Sequence, residues 1–290
     1  MNTLHLGLSY NCNMKCKHCF VNKENDKLNT KQILEAIDYL DENGLFFVVY
    51  TFGEPLLSKN FFEVSKYVRD KNIFQTLMTN GSIITDEIIS KLKESRINNI
   101  FISIDSKDPK KHDLNRGLKG AYDKAINSLI KLKENGFNVG IASTINDSNI
   151  EEINDIVEIA NSIGIKTISF LRQRDNGKLI DLKLIDKYYN FYNDYLINYK
   201  NYNINLLFHD LSLIPKTMNL YKKGLINQEL YEKYMDMNSC HYKDTVSIEP
   251  NGNVKNCNLL NESLGNLNEE SLEQILSRRG EVNENISNCT

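Results

Sequence analysis

Residues 4–20 read LHLGLSYNCNMKCKHCF, an apolar segment that runs directly into three cysteines, Cys12, Cys16 and Cys19. Leu4, Leu6 and Leu8 alternate with other residues, as they would on a strand with one face packed. Asn11, Asn13 and the charged residues after them then mark a loop. If the strand belongs to a parallel sheet, that loop lies at the strand's C-terminal end, where parallel barrels build their sites.

The segments downstream support a parallel sheet. Residues 45–51, 73–78, 99–105, 138–145 and 166–171 are short, apolar and rich in Ile, Val, Phe or Thr, as strands buried on both faces should be. Helical patterns lie between them at 30–41, 58–70, 85–95, 122–134 and 149–162, with a Thr85 N-cap candidate and with Gly136 and Gly164 where helices end. Six βα units in a row predict an α/β fold, a partial (β/α)6 barrel of the TIM type. A flat doubly wound sheet has the same local pattern, so periodicity alone leaves both open.

The rhythm changes near residue 182. Residues 188–199 and 220–235 read as Tyr-rich helices, 245–249 and 253–255 as a hairpin turning at Pro250-Asn251-Gly252, and 270–278 as a last helix. We divide the chain into a barrel core over 1–180, a helical bridging region over 181–236 that completes the core, and a small extension over 237–290. The tyrosines of 188–202 read as helix packing. His5 reads as a barrel-interior residue, His112 as a solvated residue of a charged loop, and His209 and Asp210 as a polar pair ending an apolar run.

Bulk composition narrows the function classes. A net charge of −3 disfavours a nucleic-acid surface, which needs clustered Lys and Arg. There is no apolar run long enough to span a bilayer, and the N-terminus lacks the basic and apolar regions of a signal peptide. These features predict a cytoplasmic protein with no membrane partner. In a reducing compartment six cysteines serve as metal ligands or reactive thiols rather than disulfides.

Three thiolates on one compact loop can ligate three irons of a cubane and leave the fourth iron open for another molecule. A zinc site with His18 as fourth ligand, or three surface thiols, are the competing readings. The CxxxCxxC spacing followed by Phe20 resembles the signature of the radical S-adenosylmethionine (SAM) superfamily. The likeness continues at successive strand ends. Phe52-Gly53-Glu54-Pro55 resembles the family's GGEP motif, with Phe52 in place of the first glycine, a replacement that fits a backbone of negative φ. Thr79-Asn80-Gly81 resembles its TNG turn. Ser103 and Asp105, then Arg116 after a loop, resemble a ribose-contacting serine and an arginine that pairs with the SAM carboxylate. Thr144 ends strand five in a polar run, and Arg172 and Arg174 follow strand six, either to reach SAM or substrate or to cap the barrel rim.

The resemblance implies a SAM-binding [4Fe–4S] cluster on Cys12, Cys16 and Cys19. It also implies cofactor contacts from Phe20, Gly53, Glu54, Pro55, Asn80, Ser103, Asp105, Arg116 and Thr144. Cys240, eleven residues, Gly252, four residues and Cys257 resemble the opening of the SPASM or twitch extension, which carries auxiliary [4Fe–4S] clusters in peptide and protein maturases. A full SPASM domain has more cysteines than this chain, which adds only Cys289; one auxiliary cluster on Cys240, Cys257 and Cys289 is one reading, and a truncated reading frame or a free tail thiol at Cys289 are the others. A plain hairpin with two buried cysteines is the alternative. The resemblance implies an oxidoreductase that cleaves SAM to a 5′-deoxyadenosyl radical and matures a ribosomally made peptide or a protein. Its electron donor would be of flavodoxin or ferredoxin type. The sequence names no catalytic acid or base, and no peptide-recognition domain precedes Cys12, so leader binding is expected from elsewhere. A small-molecule, sulfatase-maturing or epimerising enzyme, and a zinc or cluster protein without SAM chemistry, are the other function classes.

Overall fold

The computed structural model describes residues 2–21, 24–175, 178–239, 244–259 and 262–279. In chain order the elements begin β1 (Thr3–Gly7), α1 (Thr30–Glu42), β2 (Phe47–Thr51), α2 (Phe61–Asp70), β3 (Phe74–Thr79), α3 (Asp86–Glu94) and β4 (Asn99–Ser103). They continue with α4 (Pro109–Arg116), α5 (Ala121–Glu134), β5 (Asn138–Ile145), α6 (Ile153–Ile163) and β6 (Thr167–Arg172). A two-residue hairpin, β7 (Arg174–Asp175) with β8 (Lys178–Leu179), precedes α7 (Ile185–Ile197), β9 (Asn205–Phe208), α8 (Ile214–Lys222) and α9 (Gln228–Asn238). The chain then forms β10 (Thr245–Ile248), β11 (Asn253–Lys255), β12 (Gly265–Asn266) and α10 (Leu272–Ser277).

One sheet carries the fold, in the order β12-β11-β10-β1-β2-β3-β4-β5-β6-β9. Strands β10, β1 to β6 and β9 are all parallel; β11 and β12 add an antiparallel edge. The expected six-stranded barrel core is present, and β9 and β10 extend it on its two flanks. The pleat divides the strands cleanly. Leu4 and Leu6, Val48 and Tyr50, Ile100 and Ile102, Ile168 and Phe170 are buried in the core, whereas His5, Thr51, Met78, Ser103, Thr144 and Leu171 line an internal cavity. The sheet is therefore curled around a lined interior, as in a partial barrel and unlike a flat doubly wound sheet.

Local signals set the element ends. Asn29 and Gln32 close a capping box on α1, and the Thr85 side chain accepts the Ile88 N–H at the start of α3. Gly164, at φ 75°, caps α6. Two expectations are corrected. Residues 220–235 are not one helix: Gly224 turns the chain at φ 68°, and Asn227 caps a new helix through the Leu230 N–H. His112 is not on a solvated loop: it lies on α4 at 1 % exposure, edge-on to the Tyr122 ring. No described helix is long and apolar enough to cross a membrane.

Candidate active site

The cysteine loop after β1 is held by the turns that follow β2, β3 and β4. Lys15 N–H donates to the Arg116 carbonyl at 3.1 Å and Lys17 N–H to the Asn115 carbonyl at 2.9 Å, which fastens the loop to the end of α4. Gly117 permits this approach, because a Cβ there would lie 2.6 Å from the Lys15 carbonyl oxygen. Glu54 N–H donates to the Asn11 carbonyl at 2.8 Å. Asn80 Nδ2 donates to Asn13 Oδ1 at 2.9 Å, and Asn13 Nδ2 to Ser82 Oγ at 2.7 Å. Fixed on three sides, the loop presents Cys12, Cys16 and Cys19 to a cavity of about 870 Å³ inside the curled sheet.

Cys257, after β11, lines the same cavity, so a residue of the C-terminal hairpin meets the first cysteine loop there. A buried network ties the two regions together. Tyr10 OH donates to Glu249 Oε2 at 3.2 Å, and Lys255 Nζ to Glu249 Oε1 at 2.5 Å. Cys240 and Cys289 lie outside the described residues.

The other expected site residues divide into two groups. Phe20, Gly53, Asn80, Ser103, Arg116 and Thr144 line the cavity. Glu54, Pro55 and Asp105 are buried behind its wall. The Glu54 carboxylate accepts from Thr79 Oγ1 at 2.7 Å, Asn80 N–H at 2.8 Å and Leu56 N–H at 3.3 Å. Burial raises its pKa and these three donors oppose the rise. Pro55 opens a short 3₁₀ turn capped by Glu54. Asp105, fully buried, is bound by Arg116 Nη2 at 2.8 Å and faces His18 Nε2 at 3.6 Å. Burial pushes its carboxyl up, but Arg116, His18 and the Thr144 N–H together hold it below the ordinary carboxylate value.

Phe52 overturns the expectation of a negative φ: it sits at +63°, with Gly53 following at +45°. A left-handed non-glycine residue is disfavoured, so its surroundings must impose it. The Phe52 ring packs edge-on to Tyr10 and tilted against Phe20, and a Cβ on Gly7 would lie 2.8 Å from it.

The cavity suits an iron–sulfur cube with an anion beside it. Cys16 has Arg116 Nη1 3.9 Å from its Sγ, and burial raises the thiol's pKa while that guanidinium opposes the rise. Arg116 Nε is buried with its N–H unspent, as a guanidinium awaiting a carboxylate would be. Among the described residues no three His, Cys, Asp or Glu side chains converge on one point as a single ion needs; a cube spreads its ligands over separate irons.

The family profile of the radical SAM superfamily matches residues 7–168, more than half of the sequence. The chain belongs to that superfamily. A second profile, the SPASM iron-sulfur cluster-binding domain, matches residues 240–287. A radical SAM domain works with a [4Fe–4S] cluster and SAM, and a SPASM domain adds an auxiliary cluster, as the cysteine pattern implied. Among curated proteins, Fe-coproporphyrin III synthase of Methanosarcina barkeri is 32 % identical over 57 % of this radical SAM chain and 42 % of its own length. The antilisterial bacteriocin subtilosin biosynthesis protein AlbA of Bacillus subtilis is 30 % identical over 60 % of the chain and 40 % of its own length. The chain thus matches less than half the length of these relatives. Among solved structures, Streptococcus suis SuiB bound to precursor peptide SuiA superposes with a TM-score of 0.74 at 21 % identity, covering 94 % of the chain and 64 % of SuiB. At that identity the likeness is one of fold, and it extends over the barrel and the C-terminal hairpin together.

Sequence reasoning preferred the plainer reading of His209 and Asp210 over a place at the substrate mouth and left Arg172 between a SAM or substrate contact and a cap on the barrel rim; all three line the cavity. The overlooked signal was position. Residues 204–208 end in a His-Asp pair as β1 to β5 end in their polar motifs, which marks β9 as one more barrel strand.

Proposed function

We propose that this radical SAM enzyme of SPASM type modifies a peptide or protein, forming a thioether or carbon–carbon crosslink or making a related oxidation. The observation that carries the reading is the meeting of Cys12, Cys16 and Cys19 with Cys257 on one cavity. A substrate held there lies between the two cysteine sets, with one side to begin an oxidation and the other to take up an electron. AlbA, a bacteriocin biosynthesis protein, and SuiB, solved with a precursor peptide, support a peptide substrate. The porphyrin-synthase relative supports a small-molecule substrate as the second reading.

In this proposal Cys12, Cys16 and Cys19 hold the first cluster, and Cys257, with Cys240 and Cys289, holds the auxiliary one. When bound, the cluster and SAM supply a 5′-deoxyadenosyl radical by one-electron cleavage of the sulfonium. The chain's own residues orient and exclude. Arg116, braced by Asp105, would hold the carboxylate of SAM, with its unspent Nε–H as the donor. Phe20, Ser103 and Thr144 line the wall that receives the adenosyl group, together with the backbone of Gly53 and Asn80. Glu54 and Pro55 act at one remove, by fixing the turns after β2 and β3. The protein is assigned to the cytoplasm, and a small flavodoxin- or ferredoxin-type protein delivers the electron.

The test is anaerobic reconstitution with iron and sulfide, then dithionite and SAM. The expected products are 5′-deoxyadenosine and methionine; zinc in place of iron, with neither product, would overturn the enzyme reading. Co-expression with short peptides encoded beside the gene should yield a product lighter by two hydrogens, the signature of a new crosslink. A tetrapyrrole converted instead would favour the second reading.

A further inference from the structure

The far side of the cavity from the cysteine loop carries polar atoms that the protein leaves unspent. Arg172 ends β6 and Asp210 follows β9, the strand paired with β6. Both line the cavity, and their side chains are 8 % and 0 % exposed. Arg172 Nη1 donates to Ser212 Oγ at 3.2 Å and stands 3.4 Å from Asp210 Oδ2. Asp210 Oδ1 accepts the Ser212 N–H at 2.9 Å, which fixes the carboxylate as the cap of a short helical turn. Arg172 Nε–H and Asp210 Oδ2 have no hydrogen-bond partner. Asn238, which lines the same cavity, has spent its Nδ2 on the Tyr192 hydroxyl at 3.0 Å, and its Oδ1 is likewise unpartnered.

Buried polar groups are ordinarily paired, and a charged pair with spare valences at a cavity wall calls for a ligand that can use them. A carboxylate ligand would satisfy Arg172 but meet the charge of Asp210, and an ammonium would meet Arg172. A neutral group that accepts from one and donates to the other fits both. The geometry points to Arg172 and Asp210 as an amide-binding subsite, with Arg172 Nε–H donating to the carbonyl oxygen and Asp210 Oδ2 accepting the N–H of one substrate amide. The assignment rests on the peptide reading above and adds where the substrate is gripped. The amide is the primary carboxamide of an Asn or Gln side chain, which carries its carbonyl and one N–H on the same edge; a trans main-chain amide points the two in opposite directions and cannot meet both neighbours.

The test uses the reconstituted full-length protein and a displayed library of random twelve-residue peptides. Peptides enriched on the wild type are synthesised and their affinities measured by fluorescence anisotropy. Asp210→Asn keeps the helix cap through its remaining oxygen but turns the free acceptor into a donor, and Arg172→Gln removes the charged fork; Arg172→Lys replaces it where the Gln variant does not fold. Cluster absorbance and the unfolding midpoint establish that each variant is intact. Each substitution should weaken binding about tenfold or more. On the wild type, replacing one Asn or Gln of the peptide by Ala should cost as much and add nothing further on Asp210→Asn. Coupling of Asp210→Asn to an N-methylated main-chain amide instead would overturn the carboxamide assignment. Peptides that bind Asp210→Asn and Arg172→Gln as tightly as the wild type would overturn the subsite and leave the peptide reading standing. A library with no peptide enriched on the wild type would overturn the peptide reading, and the subsite with it.

Discussion

The two halves of the cavity rim spend their polar groups differently. On the β1–β4 side Glu54, Asn80 and Asn13 spend their polar atoms on one another, on backbone and on nearby hydroxyls, and these bonds hold the cysteine loop; of the groups around it the Arg116–Asp105 ion pair keeps atoms spare, Arg116 Nε–H and Asp105 Oδ2. On the β6–β9 side Arg172, Asp210 and Asn238 keep atoms in reserve. The first half is built to hold one geometry, and the second to meet something that arrives. A saturated network is costly to breach, because every lost partner strands another buried group, whereas a rim with spare valences tolerates change until its ligand is present.

The largest effect should come from the loop that the saturated half supports. Replacing Cys12, Cys16 and Cys19 with Ala should remove the iron of the first cluster, leaving only that of the auxiliary one, and abolish 5′-deoxyadenosine formation, read by iron and sulfide analysis and by chromatography. Full wild-type iron content or retained 5′-deoxyadenosine would break the contrast at its root. Next in size is Glu54→Ala, which leaves the Thr79 hydroxyl and the Asn80 and Leu56 amides without their acceptor. Urea titration should show a loss of about 3 kcal/mol or more. Asp210→Asn, on the unsaturated side, should cost under half of that, and equal losses would erase the distinction.

The pH dependence sharpens the same contrast. His112 accepts the Asp105 N–H through Nδ1, so its native state is neutral. Burial and then the nearby Arg116 lower its pKa to about 4, against weaker upward pulls from Asp105 and Asp113. The unfolded chain therefore binds more protons between pH 6.5 and 4, and stability falls as pH falls through that window, by at most about 3 kcal/mol from this group. His5, also lowered to about 4 by burial and by His209, adds to the same acid limb. His112→Gln should flatten the limb in urea titrations at stepped pH; an unchanged slope would remove His112 from the account. The smallest effect concerns Phe52. Both Phe52→Ala and Phe52→Gly lose the packed ring, but at φ +63° the Gly variant should be the more stable by about 1 kcal/mol, the reverse of the usual order. Equal or inverted midpoints would mean that the left-handed turn carries no strain.

The saturated half was also the half legible in the sequence. Its cysteines, GEP and TNG turns and Ser103–Asp105 stretch sit at strand ends that period-2 patterns mark, and each motif is local. The rest depends on distant partners. Helix α4 was missed because its sequence, PKKHDLNR, has no apolar stripe; it buries His112, Asn115 and Arg116 instead. Strand β9 was hidden among Tyr-rich helices, since four residues carry little periodicity. The φ of Phe52 follows from Tyr10, Phe20 and the space left by Gly7, none of which a tetrapeptide motif records.

Strand β10 pairs with β1, placing Thr3 beside Thr245. The outer edge of β1 therefore stays bare until about 240 further residues have been made, and this ladder is the most entropically expensive of the sheet to close. The strand that leads into the first cysteine loop is made before the other strands of its sheet and waits for a late one to flank it. Closure on that side is thereby gated by a segment far downstream.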